Sequence, residues 1–291
     1  MPSLSKRPSG EAAVGELFEL VDERAQSRVT IAPQRGALVT SFRVAGRELL
    51  YLDAATLNDA TKNVRGGIPV LFPTPGKLAD DRWQWGEESG ALKQHGFARN
   101  FPFTVAKADP SRAELTLALA SSAATLASYP WQFRFELTFQ LEGPRLCIGS
   151  RVENRSARPL PCAVGYHPYF LVTDKSDVTI DIEGTRVFDN VTKRYAAFDG
   201  FDWSAPEVDV HVLDNSRPAA ALDFGDGTRL ALRGSADFTT WVVWALAGKD
   251  YICLEPWTAP GNALNTREHL SELPAGASHD SFVELEWMSV A

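Results

Sequence analysis

Glu255 stands where a carboxylate is least expected. It follows the apolar run Tyr251–Leu254 (YICL), which reads as a buried strand, and it precedes Pro256 and Trp257. Glutamate is almost never fully buried without a partner. Set against the Trp257 indole, which would form a wall of a site, its carboxylate would be desolvated, and desolvation raises a carboxyl pKa towards the range of a useful base. The plain alternative is a strand-end glutamate facing water. Two of the five histidines have comparably specific surroundings. His95 lies in QHGFAR, with Arg99 four residues on, and His167 lies in GYHPYF, between two tyrosines and before Pro168. Proline has no amide donor and fits poorly in a central strand, so His167 belongs at a strand end, facing a pocket or satisfied in the core. His211, in an alternating strand, and His269 and His279, in a charged C-terminal stretch, are assigned to surface or structural roles.

A histidine acid and a carboxylate base ringed by aromatics and arginines suit a polyhydroxylated substrate. Aromatic faces pack on the C–H faces of a sugar ring, and arginine and amide groups grip its hydroxyls directionally. Other chemistries lack their residues. The chain has no G-x-S-x-G elbow, no P-loop and no G-x-G-x-x-G, so hydrolase, NTPase and dinucleotide readings are unsupported. Only one carboxylate has a pocket-like setting, against the two that glycoside hydrolysis uses. His95, His167 and Glu255 are chemically allowed as zinc ligands, but no two of them are close in sequence. No metal and no cofactor are expected. Cys147, Cys162 and Cys253, an odd count without C-x-x-C spacing, read as buried free thiols in a reducing compartment.

The elements that must position these groups are strands. Period-two alternation of apolar and polar residues runs through Arg28–Ala32, Ala37–Val44, Glu114–Ala120, Trp131–Leu141, Arg145–Glu153, Asp177–Glu183, Val208–Leu213, Arg229–Arg233, Trp241–Leu246, Tyr251–Glu255 and Phe282–Trp287. Such alternation puts one set of side chains on each face of a pleated strand. Glycine-bearing turns at Leu141–Leu146 and Phe224–Leu230 read as hairpin connections. Helical pattern is confined to Asp53–Thr61 and Ser121–Ser128. The fold class expected is all-β, an antiparallel β-sandwich with few short helices, in one domain spanning 16–291. Three segments break the alternation: Arg65–Gly76, Gln94–Phe103 and Tyr251–Thr266. Rich in Gly, Pro and aromatics, they read as loops held on a rigid scaffold, where function concentrates.

Composition narrows the setting. The 291 residues are 44% hydrophobic and 23% charged with a net charge of −8, as in a soluble globular protein. No basic stripe marks a nucleic-acid partner, and no run of about 18 apolar residues marks a membrane helix. Residues 1–15 lack the apolar stretch of a secretory signal and are expected to form a disordered tail. A cytoplasmic protein, monomeric or homodimeric, is expected.

Four motifs in order resemble the aldose 1-epimerase (galactose mutarotase-like) family, above all its bacterial branch: RGGIP at Arg65–Pro69, HGFAR at His95–Arg99, HPYF at His167–Phe170 and EPW at Glu255–Trp257. The segment ALVTSFRVAGRELLY resembles the family's opening hairpin, and the resemblance extends over residues 17–288. It implies a large antiparallel β-sandwich and an aldose mutarotase acting on a small sugar. By this resemblance Glu255 is the general base at the C1 hydroxyl and His167 the general acid at the ring oxygen, acting from opposite sides of the hemiacetal. His95 holds the sugar oxygens and Arg65 contacts substrate. Arg99 either contacts substrate or braces its loop by an ion pair. A free aldohexose is the favoured substrate. The alternatives are a hexose 6-phosphate, for which Arg65, Arg99, Lys77, Arg82 and Lys93 offer charge, and a sugar-binding module without turnover. Asp189 and Asp237 are candidates to grip the distal hydroxyls.

Overall fold

The computed structural model describes residues 1–289. Two large antiparallel sheets dominate it. One runs in the order Thr179–Ile182, Ala219–Asp223, Thr228–Gly234, Ser278–Ser289, Arg145–Asn154, Phe133–Glu142, Glu114–Ala120, Thr104–Asp109. Its central hairpin shows why: Phe133–Glu142 and Arg145–Asn154 pair over ten residues across the Gly143–Pro144 turn, and their side chains alternate between buried and half-buried. The second sheet runs Arg194–Ala197, Arg186–Asp189, Glu207–Val212, Thr240–Leu246, Tyr251–Trp257, Gly165–Tyr166, Val70–Leu71, with Tyr169–Leu171 also paired to Tyr251–Trp257. A third sheet of five strands is built from the first 48 residues. Aromatic side chains fill the interlayer space. The Phe72 ring stacks on Phe135 at 4.5 Å between centroids and meets Phe133 edge-on at 5.1 Å, geometries that aromatic quadrupoles favour.

The strand Tyr251–Trp257 differs from the others in being buried at all seven positions. Ile252 and Leu254 face the main core. Cys253, Glu255 and Trp257, at alternate positions, face the other way. The expectation that the chain becomes a loop after Glu255 is corrected: Pro256 sits opposite Trp241 and Trp257 opposite Thr240, still in register. Irregular backbone begins only beyond Trp257. Around His167 the expectation holds, because the chain leaves the sheet at His167–Pro168, between the strands Gly165–Tyr166 and Tyr169–Leu171.

The tail expected over residues 1–15 is also corrected. Pro2–Pro8 pairs with Glu16–Asp22 over seven residues as an exposed edge strand. The proline at each of its ends suits an edge, where no partner needs the missing amide. Of the expected domain 16–291, residues 290–291 lie outside the described residues. Short helices occupy Ala54–Leu57 and Ala123–Leu126, as expected, and a third spans Ala263–Thr266. No helix among the described residues is long and apolar enough to cross a membrane. Cys147, Cys162 and Cys253 are free thiols; Cys162 and Cys253 are buried and Cys147 is half-buried.

Candidate active site

A cavity of about 980 Å³ opens on the outer face of the second sheet. All six residues singled out from the sequence line it: His95, His167, Glu255, Arg65, Arg99 and Trp257. His167 and Glu255 meet on its floor. Their strands are neighbours, which brings the His167 Nε2 to 3.3 Å from the Glu255 Oε1. The amide of His167 donates to the Pro69 carbonyl at 3.0 Å and that of Tyr169 to Gly67 at 2.9 Å, so the RGGIP segment fixes the turn that carries the histidine. The Tyr169 ring stacks on the imidazole at 4.7 Å, and Trp244 meets it edge-on at 5.9 Å. Trp257 is more than a wall, since its indole N–H donates to Glu255 Oε2 at 3.2 Å.

Burial dominates the electrostatics of this pair. It pushes the Glu255 carboxyl well above its ordinary range, helped by the nearby charge of Asp209 and opposed by the Trp257 N–H and Arg99. It pushes the His167 imidazole well below its ordinary range, helped by the charge of Arg99. Two buried groups in contact, one shifted up and one down, hold a single proton between them. That is one acid and one base at a time. The family resemblance implies acid and base acting from opposite sides of a hemiacetal; here the two side chains are in contact. The C1 hydroxyl and the ring oxygen are bonded to the same carbon, so two groups in contact can serve both.

His95 is held in the left-handed region, φ 70°, a conformation that non-glycine residues keep only where surroundings enforce it. Its amide donates to the Gly76 carbonyl. Its Nδ1 is bonded to the Pro75 carbonyl, which can only accept, so Nδ1 carries the hydrogen. Burial, with Arg99 adding to it, lowers its pKa to about 3. The ring is therefore neutral, with a lone pair on Nε2 available to a hydroxyl donor. Gly96 makes this turn possible, because a Cβ there would lie 2.3 Å from the Phe72 carbonyl oxygen.

The two arginines reach the cavity without carboxylate partners among the described residues. The Arg65 guanidinium lies over the Trp244 ring at 5.7 Å. Arg99 donates from Nη2 to the Gln94 carbonyl at 3.0 Å, and its buried Nε has no partner. It braces its loop through a backbone carbonyl, not through an ion pair. Burial lowers its pKa to about 10, and the like charge of Arg65 works in the same direction. A single turn, Pro33–Arg35, underlies both. Buried Arg35 donates from Nη2 to the carbonyls of Thr56, Asp59 and Lys62, each at 3.1 Å, and so fastens the segment that ends in Arg65. Gly36 packs against the Arg99 backbone so closely that a Cβ would fall 2.4 Å from its carbonyl oxygen.

Several lining residues escaped sequence reasoning. The surface role assigned to His211 is corrected: it faces the cavity with Asp209, its Nε2 3.4 Å from the Asp209 Oδ1. Asn190 donates to the other Asp209 oxygen at 2.6 Å. The strand Glu207–Val212 alternates polar and apolar residues as a surface strand would, so its sequence carries no mark of the cavity. The aspartates considered instead do not line it. Asp189 accepts from the Val191 and Thr192 amides of its own turn, and Asp237 lies beside Ser235 and His279. Lys77 lines the cavity, whereas Arg82 and Lys93 do not.

Comparison with known proteins identifies the family. A protein of Cenchrus ciliaris named "Putative glucose-6-phosphate 1-epimerase" is 28% identical over 82% of this chain and 80% of its own length. An Escherichia coli K12 protein of the same name is 30% identical over 65% of this chain and 59% of its own. Among solved structures, the Slr1438 protein of Synechocystis sp. PCC 6803 superposes with a TM-score of 0.91 at 35% identity, covering 97% of this chain and 96% of that one. The profile of the family described as aldose 1-epimerase matches residues 17–284. With a match across nearly its whole length, the chain belongs to the aldose 1-epimerase family and is an isomerase of sugars.

Proposed function

We propose that the chain interconverts the α and β anomers of a hexose 6-phosphate. The observation that carries this reading is the pair of guanidiniums, Arg65 and Arg99, on the wall of the cavity beside Glu255 and His167, neither in an ion pair with a carboxylate among the described residues. Arginine binds phosphate bidentately, and a phosphate dianion would offset the like charge of Arg65 that helps lower the Arg99 pKa. The names of the plant and E. coli relatives support the same substrate class. This moves the reading from the free aldohexose to its phosphorylated form.

In the reaction Glu255 takes the proton of the C1 hydroxyl as His167 gives one to the ring oxygen. The C1–O5 bond breaks to the open aldehyde. Rotation about C1–C2 presents the other carbonyl face, and closure returns both protons. Glu255 is a base only while the shared proton sits on His167, and the Trp257 N–H and Arg99 are the groups that favour that form. His95 accepts a sugar hydroxyl at Nε2. No hydride moves, and the side chains named supply both proton transfers, each typically worth about 10²–10⁴-fold.

Polarimetry tests the reading. Fresh α-D-glucose 6-phosphate, α-D-glucose and α-D-galactose are each followed with and without protein. Faster relaxation of the phosphorylated sugar, lost in Glu255→Gln, is the expected result. Acceleration of the free sugars alone would return the assignment to free aldoses. Acceleration of none, with sugar still bound, would point to a binding module.

A further inference from the structure

We propose that Cys253, His167 and Glu255 form a binding site for a thiophilic divalent cation such as Zn²⁺ or Cd²⁺, and that an ion held there switches off the acid–base pair. The Cys253 Sγ, a His167 ring nitrogen and a Glu255 carboxylate oxygen all lie within 4.8 Å of one another, and all three residues are buried. Strand geometry explains the convergence. Cys253 and Glu255 are two apart on Tyr251–Trp257 and so share the face turned away from the core. Cys253 is paired with Tyr169 on the neighbouring strand, which brings His167, two residues earlier, alongside Glu255.

The spacing suits a tetrahedral ion. Zinc bonds of about 2.0–2.3 Å place neighbouring ligand atoms about 3.3–3.7 Å apart. The His167 Nε2 and Glu255 Oε1 are at 3.3 Å already, and the sulfur, within 4.8 Å of both, completes the set by closing at most about 1 Å. One nitrogen, one sulfur and one carboxylate oxygen favour zinc or cadmium over magnesium or calcium, which prefer all-oxygen sites. The cavity reaches His167 and Glu255, with Cys253 buried behind them, so the ion enters from the His167–Glu255 side and a water from the cavity would fill the fourth position. The proton inventory balances. The ion displaces the thiol proton and the proton shared by His167 and Glu255, so a dication replaces two protons and the buried site gains no net charge. Occupancy removes both lone pairs that the reaction uses, so the ion inhibits.

The inhibitory part rests on the proposed function, whereas the binding part does not, and the test separates them. Purified protein is titrated with CdCl₂ while thiolate-to-cadmium absorption in the ultraviolet and epimerase activity are recorded. The same is done for Cys253→Ser and Cys253→Ala, which keep Cys147 and Cys162. In the unaltered chain the absorption rises to one equivalent and activity falls in parallel, restored by chelator. Losing a ligand should cost at least the 10–100-fold in affinity typical of a lost supporting partner. Both variants should therefore lose the absorption and need at least about tenfold more Cd²⁺ for inhibition, with metal-free activity retained. Absorption that persists in the variants, equal inhibition of all three proteins, or equal inhibition by Mg²⁺ would overturn the site. Absorption that depends on Cys253 in a protein active on no sugar would keep the site and remove the proposed function.

Discussion

At the scale of single residues the proposed chemistry rests on one shared proton. With His167 shifted down from an ordinary 6.5 and Glu255 shifted up from an ordinary 4.5, the one-proton state spans the interval between the two shifted values. The pair gains a second proton only as pH falls through the lowered histidine value, and loses its last only as pH rises through the raised carboxyl value. The pH profile of kcat at saturating sugar, where the second ionisation of a free phosphate near pH 6 does not enter, should therefore be flat at neutrality, with an acid limb well below pH 6.5; a limb centred at 6.5 would contradict the shared proton. Asp209 raises the Glu255 carboxyl by like charge, so Asp209→Asn should move the alkaline limb to lower pH. Trp257→Phe removes the donor to the Glu255 carboxylate. A hydrogen bond to a charged group is worth about 1.5–3 kcal/mol, so kcat should fall about 10–100-fold, and an unchanged kcat would deny Trp257 this role. These three side chains were legible in the sequence because each is an anomaly where it stands: a carboxylate ending an apolar run, an indole two residues on, a histidine locked to a proline. Asp209 and His211 were not. Alternation marks a strand but not whether its polar face meets bulk water or a cavity.

At the scale of elements, the loops that carry His95, Arg65 and Arg99 have little regular structure of their own and are held from beneath. The Pro33–Arg35 turn is the common support, through the Arg35 guanidinium on one side and Gly36 on the other. Arg35→Ala leaves three carbonyls without their donor and should lower stability by about 2–3 kcal/mol. Because Arg35 touches no part of the cavity lining except through the segment it fastens, the variant should raise KM for the sugar substrate more than it lowers kcat. Arg35→Lys, which keeps charge but not the planar fork, should recover only part of either. Steady-state kinetics with denaturant melts of the same preparations decides the matter. The long strands were readable from period two because each buries one face. The edge strand Pro2–Pro8 was not, because its pairing uses backbone groups and its side chains are polar and exposed. The strand at Tyr251–Trp257 was cut short in reading because proline usually ends a central strand, yet here Pro256 is kept in register.

At the scale of the whole molecule, the site is laid on a sheet whose other face is core. The sheet that carries Glu255 on one face packs Ile252 and Leu254 into the main core on the other. Regions that open independently of global unfolding have few buried apolar contacts, and this strand is the opposite case. Its amides should be among the last to exchange with deuterium. Activity and ellipticity should then disappear together on heating. A catalyst on a mobile lid can fail while its scaffold is still folded. Here the proposed base is built into the load-carrying beam, so the temperature at which the enzyme stops and the temperature at which the fold gives way should be one and the same.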